Sequence, residues 1–174
     1  MQIILVMKTV FYTALLAVIL VSCSKDELET STTPQPGTCI VSGNVKANLN
    51  TANDTIPPSG IQYENVNGSN ITFVVNSADL EIHPDANFEY EMLSYTTTID
   101  NGTYSIELPA ISRPYSVGVI LEEFNYLEMS LYYDWNLDSS YLVTQEKLFV
   151  CSTTSLGNIV ENNNKTHNFY YSAQ

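Results

Sequence analysis

The chain has 174 residues, room for one ordinary domain and a short appendage, and its 44% hydrophobic content is enough to build a core. Acids outnumber bases 19 to 6, for a formal net charge of -13. The six cations (Lys8, Lys25, Lys46, Arg113, Lys147 and Lys165) are scattered, which argues against the clustered positive surface that nucleic acid demands, and the net charge repels anionic lipid headgroups.

The first element is the apolar run Val10–Val21, preceded by Lys8. This is the charged n-region and apolar h-region of a secretory signal, and at about 12 residues it is too short to span a ~30 Å hydrocarbon core. Met7 is the predicted true start, with residues 1–22 covering the signal. Leu20-Val21-Ser22-Cys23 resembles a bacterial lipobox. That resemblance implies acylation of the Cys23 thiol, cleavage before it and acylation of the new N-terminus, and several acyl chains together give stable anchoring. Lys25, Asp26 and Glu27 resemble the Lys-plus-acids stretch that many Bacteroidetes lipoproteins carry after the cysteine. The implied location is the outer membrane, with the domain facing the cell exterior. Residues 23–37 read as the lipidated cysteine and a polar, Ser/Thr/Pro-containing linker that cannot bury enough surface to fold.

From 38 to 174 the pattern predicts an all-β domain. Strand signals cover 39–47, 70–77, 88–99, 102–110, 115–124, 126–135, 146–153 and 166–173. Asn101-Gly102 is the clearest hairpin turn, and after it Tyr104, Ile106 and Leu108 alternate with Ser105 and Glu107. Asn125 marks a predicted bend. Short strands with turns between them predict a single antiparallel β-sandwich of about seven to eight strands. "SGNVKA" (42–47), "TTTIDNGTYSIELPA" (96–110), "PYSVGVILEEF" (114–124) and "NNNKTHNFYYS" (162–172) resemble the carboxypeptidase regulatory-like, or transthyretin/prealbumin-like, sandwich family. The resemblance implies a compact sandwich and no particular chemistry, because such modules serve binding, spacing and structural roles alike. The stretch 125–145 is longer than that family usually has.

Export favours disulfides, and with Cys23 lipidated, Cys39 and Cys151 are the candidate pair; closing a loop of about 110 residues would stabilise by ~4–5 kcal/mol. The alternative is two buried free thiols. Catalytic signals are sparse. His83 and His167 belong to no metal-type cluster, and there is neither a nucleophile elbow nor a Gly-rich phosphate loop. Glu122, Glu123, Glu128 and Asp134 read as solvated strand acids rather than a glycosidase pair. The expectation is therefore a non-enzymatic protein without a cofactor.

The richest segment is "LYYDWNLDSSY" (131–141). Asp134, Asn136 and Asp138 have the 1, 3, 5 spacing of a calcium loop, but Ser139 replaces the turn glycine and Gln145 occupies the twelfth position. A polar β-turn is the alternative. Tyr132, Trp135 and Tyr141 are candidate ligand-binding rings, since aromatic faces stack on sugars and neighbouring Asp or Asn can bond hydroxyls. Equally, Tyr133 and Trp135 could extend the apolar face of Leu127, Met129 and Leu131 into the core. Asp54-Thr55-Ile56 resembles the short O-glycosylation motif of exported Bacteroidetes proteins, which makes Thr55 a candidate acceptor. The expected function is that of a lipid-anchored envelope protein whose sandwich is a structural or protein-interaction module. The alternative is carbohydrate binding through 132–141. The expected partners are the membrane, through the lipid, and an envelope protein or glycan.

Overall fold

The computed structural model describes residues 36–55 and 60–174, without the Thr55 side chain. The signal segment, Cys23, most of the linker and the Thr55 hydroxyl therefore lie outside the described residues. Among those described there are eleven strands: β1 Gly37–Ala47, β2 Glu64–Asn65, β3 Asn70–Asn76, β4 Met92–Thr98, β5 Thr103–Ala110, β6 Tyr115–Leu121, β7 Phe124–Asp134, β8 Ser139–Val150, β9 Thr154–Ile159, β10 Asn163–Thr166 and β11 Phe169–Ala173. They form two sheets, and the domain is all-β in the manner of a β-sandwich.

The second sheet is simple, with order β4-β3-β6-β9 and every pairing antiparallel. β3 and β6 alternate buried and open positions, so Ile71, Phe73 and Val75 join Val117, Val119 and Leu121 on one inward face. The first sheet is organised around β1. On one flank β1 pairs antiparallel with β5 and then β2; on the other it pairs parallel with β10 and then β11. The parallel register runs on unchanged from Cys39↔Asn163 through Ser42↔Thr166 to Val45↔Phe169, so β10 and β11 are one strand pinched at His167-Asn168. β8 then pairs with β11, and β7 with β8. The sandwich is thus not purely antiparallel, because its first and last strands run side by side in the same direction. The excess over seven to eight strands comes from this pinch and from short pieces such as β2.

The pinch sits where a missing side chain leaves room for it. Gly43 lies opposite Tyr104, and the space its side chain would fill holds the His167 carbonyl, 1.7 Å from an ideal Cβ. That carbonyl accepts a 3.0 Å hydrogen bond from the Tyr104 hydroxyl. The β4–β5 connection is the predicted Asn-Gly turn: Asn101 (φ 47°) and Gly102 (φ 75°) are both left-handed, as a type I′ hairpin requires. Two other expectations are corrected. Asn125 sits inside β7, and the chain crosses between sheets at Glu122-Glu123 instead. The strand expected from 146 begins at Ser139.

Buried side chains from both sheets, from Cys39 to Tyr171, make one core, so residues 36–174 contain the whole described core. Three of its tyrosines keep their hydroxyls bonded to backbone carbonyls: Tyr104 to His167, Tyr115 to Pro109 and Tyr171 to Glu122. Cys39 and Cys151 are free thiols, which corrects the predicted disulfide. Cys39 lies level with Leu108 and Asn163, whereas Cys151 follows Val150, which faces Ser172 just past the Ala47↔Tyr171 pair. About eight residues of strand, ~25 Å, separate those levels, against the ~6 Å between Cα atoms that a disulfide spans.

Candidate functional site

β7 and β8 pair without a break from Phe124↔Phe149 to Asp134↔Ser139. Only their base is tied to the rest of the sheet. β8 pairs with β11 at Phe149 and Val150, and Ala52 N–H donates to the Met129 carbonyl at 3.1 Å. Beyond that level the hairpin is a two-stranded ribbon. Residues directly opposite in an antiparallel pair share a face, so the odd-numbered residues of β7 lie with the even-numbered residues of β8. One face carries Leu127, Met129, Leu131 and Tyr133 with Leu142, Thr144 and Glu146. The other carries Phe124, Tyr126, Glu128 and Tyr132 with Tyr141, Val143, Lys147 and Phe149.

The aliphatic face points outward. Leu127 is 62% exposed, Leu131 46% and Leu142 59%, while Glu128 on the opposite face is 2% exposed. The parity is set at the base. The Phe124 and Phe149 rings stack at 5.4 Å and Phe124 meets Tyr171 edge-on at 4.9 Å, so the face that contains them must turn inward. A strand alternates with period two, so Glu128 follows them in. Its charge is met by an ion pair with Lys147, the diagonal neighbour on the same face; Glu128 Oε2 has no further hydrogen-bond partner.

A polar loop clasps the ribbon's base. The Asp54 carboxylate accepts from Asn48 Nδ2 and Gln62 N–H, both at 2.7 Å. Glu64 accepts from Leu49 N–H and Asn53 Nδ2, both at 2.7 Å. These bonds hold the segment that reaches Met129 through Thr51 and Ala52. Neither the clasp nor the Glu128–Lys147 pair was visible in sequence motifs; their signal lies in tertiary pairing.

The three candidate rings all reach the surface. Tyr132 and Tyr141 are opposite one another with ring centroids 5.4 Å apart. Trp135 is 85% exposed and meets Tyr133 edge-on at 4.7 Å. Tyr133 and Trp135 therefore do not continue into the core. Tyr132 and Tyr133 belong to opposite faces, so the aromatics form two small platforms rather than one. Asp134, Asn136 and Asp138 shape the tip: Asp134 Oδ1 accepts from Asn136 N–H at 2.8 Å, and Asp138 Oδ1 accepts from the Tyr133 hydroxyl. That bond raises the Tyr133 phenol above its ordinary pKa. Among the described residues no three His, Cys, Asp or Glu side chains gather as a metal-ligand group.

The remaining candidates are dispersed. His83 is exposed, and His167 packs on Phe169 at 4.8 Å. Cys151 and His167 line the same shallow cleft, but burial pushes the thiol up, away from the thiolate a nucleophile needs. Glu122 is bonded to Asn70 through its backbone N–H and side-chain amide. Neither a protein-family model, nor a curated protein, nor a solved structure matches this chain.

Proposed function

We propose that this chain is a lipid-anchored, non-enzymatic interaction module of the outer membrane. Cys23 carries the lipid, the sandwich is of the prealbumin-like type, and the outward face of the β7–β8 ribbon docks a protein partner at the cell exterior. The observation that carries the docking role is the inverted polarity of β7, with its leucines outside and its glutamate inside. A contiguous apolar face on a soluble domain marks an interaction surface. Two tests address the two halves. Cys23→Ala is expected to release the chain from the membrane fraction. Backbone amides 131–144 are expected to exchange more slowly with deuterium in intact envelopes than in the isolated domain; equal rates in both would sink the docking role.

A second reading, carbohydrate binding, is supported by the near-complete exposure of Trp135 beside Tyr133 and Asp138. It is tested by titrating polysaccharides, with and without calcium, against Trp135 fluorescence. A saturable shift that disappears in Tyr133→Ala would support it, survival in Tyr133→Ala with loss in Tyr132→Ala/Tyr141→Ala would move the site to the other platform, and an unresponsive tryptophan would remove it.

A further inference from the structure

Resting on the docking role just proposed, we infer that the partner at the ribbon is a second copy of this chain, stacked face to face through Leu127, Met129, Leu131, Tyr133, Trp135 and Leu142. Area is the first argument. These six side chains are between 37% and 85% exposed. With full surfaces of about 200 Å² each, they offer roughly 650 Å² per copy, a little under the ~800 Å² that each partner of a standard complex contributes and above half of the ~1,000 Å² total that a specific interface needs.

Charge is the second. A chain at -13 steers basic partners toward its carboxylates, yet this face offers them only Glu146 near its base and Asp138, already bonded to Tyr133, at its tip. A mostly apolar face fits another mostly apolar face, and a second copy supplies one that matches by construction. With a two-fold axis at the Leu131↔Leu142 pair, each copy's base lies over its partner's tip, which brings Glu146 of one copy toward Asp138 of the other. Glu146 is four residues from that level, so the two Glu146 side chains stand roughly 25 Å apart, beyond the ~8 Å screening length at physiological salt. Repulsion between two acidic bodies then opposes assembly, so added salt is expected to tighten it.

The test is sedimentation velocity on residues 36–174 across the micromolar range, with the Leu131→Asp/Leu142→Asp variant and the milder Leu142→Ser variant. The expected result is a concentration-dependent dimer, stronger in 0.5 M than in 0.02 M NaCl. The double variant should weaken it by at least about 100-fold and Leu142→Ser by about 10-fold, with unfolding midpoints near wild type. A monomer at every concentration and salt overturns the proposal, as does a dimer indifferent to Leu142→Ser. A photo-reactive amino acid at position 142 of the full chain in cells separates the two failures. Cross-linking to a second copy supports the inference. Cross-linking to a different polypeptide overturns it but leaves the docking role standing, and no protein cross-link removes both.

Discussion

β6 and β7 are consecutive strands with the same kind of alternation and opposite fates. In β6 the residues Tyr115, Val117, Val119 and Leu121 are buried; in β7 the residues Leu127, Met129 and Leu131 are exposed. Alternation decides which side chains share a face. It does not decide which face turns inward. In β6 both answers coincide, because β3 and β9 flank it on both sides and four of its apolar residues turn into the core, leaving only Ile120 on the outer face. In β7 the decision is made by Phe124, at the base, and by its contacts with Phe149 and Tyr171.

The largest effect should come from removing that anchor. Phe149 is 1% exposed and stacks on Phe124, so Phe149→Ala should cost about 3–5 kcal/mol in chemical denaturation. It should also loosen the ribbon first, seen as faster exchange of the amides of β7 and β8 than of β6. A loss under 1 kcal/mol would mean that something else fixes the parity.

Next is the buried charge. Lys147→Met leaves Glu128 without its partner and should cost about 2–3 kcal/mol, the loss being moderated because Lys147 is one-third exposed. Glu128→Leu in the same chain should recover most of that loss, since an apolar pair needs no compensation. If the double variant were no better than Lys147→Met, the glutamate would have a role beyond accepting the lysine.

Alkaline pH separates body from tip more gently. Burial raises the phenols of Tyr104, Tyr115 and Tyr171 above their ordinary value of 10 in the folded state. Above pH 10 the unfolded chain gives up these protons while the folded chain keeps them, so the unfolded state binds fewer protons and stability falls as pH rises. Below pH 10 the contribution is fully present. Each tyrosine should steepen the fall by up to about 1.4 kcal/mol per pH unit. Tyr104→Phe should therefore flatten the dependence of unfolding free energy on pH between 10 and 12, and an unchanged slope would mean that Tyr104 ionises alike in both states.

Much of the fold was legible in the sequence. β1, β3, β5 and the Asn101-Gly102 turn follow from local pattern, because a half-buried strand writes its burial as period two and a type I′ turn demands left-handed residues. What was not legible depended on partners distant in sequence. β9 and β10 are short, with left-handed Asn158 at the register shift inside β9 and left-handed Asn162 in the turn before β10, and they exist because β6 and β1 accept them. Half of β8, "SSYLVTQ", holds strand formers only at Tyr141–Thr144, too short a run to mark the strand's start, and it is ordered by lying against β7. At the candidate site the sequence located the aromatic cluster. It could not assign the cluster to core or surface, since parity is set by ring contacts between strands.

The smallest effect is the one that most sharpens the contrast. Leu131→Ala and Val119→Ala both shorten an aliphatic side chain on an alternating strand. Val119 is fully buried, so its truncation should cost about 1–3 kcal/mol through lost contacts and an unfilled cavity. Leu131 is nearly half exposed, and its truncation should change the stability of a dilute monomer by no more than about 0.5 kcal/mol. The same Leu131→Ala chain, measured at concentrations where copies associate, should then lose stability relative to wild type as concentration rises, because only the wild type gains from assembly. If its deficit stayed within 0.5 kcal/mol at every concentration, the outward face would have no role in self-association.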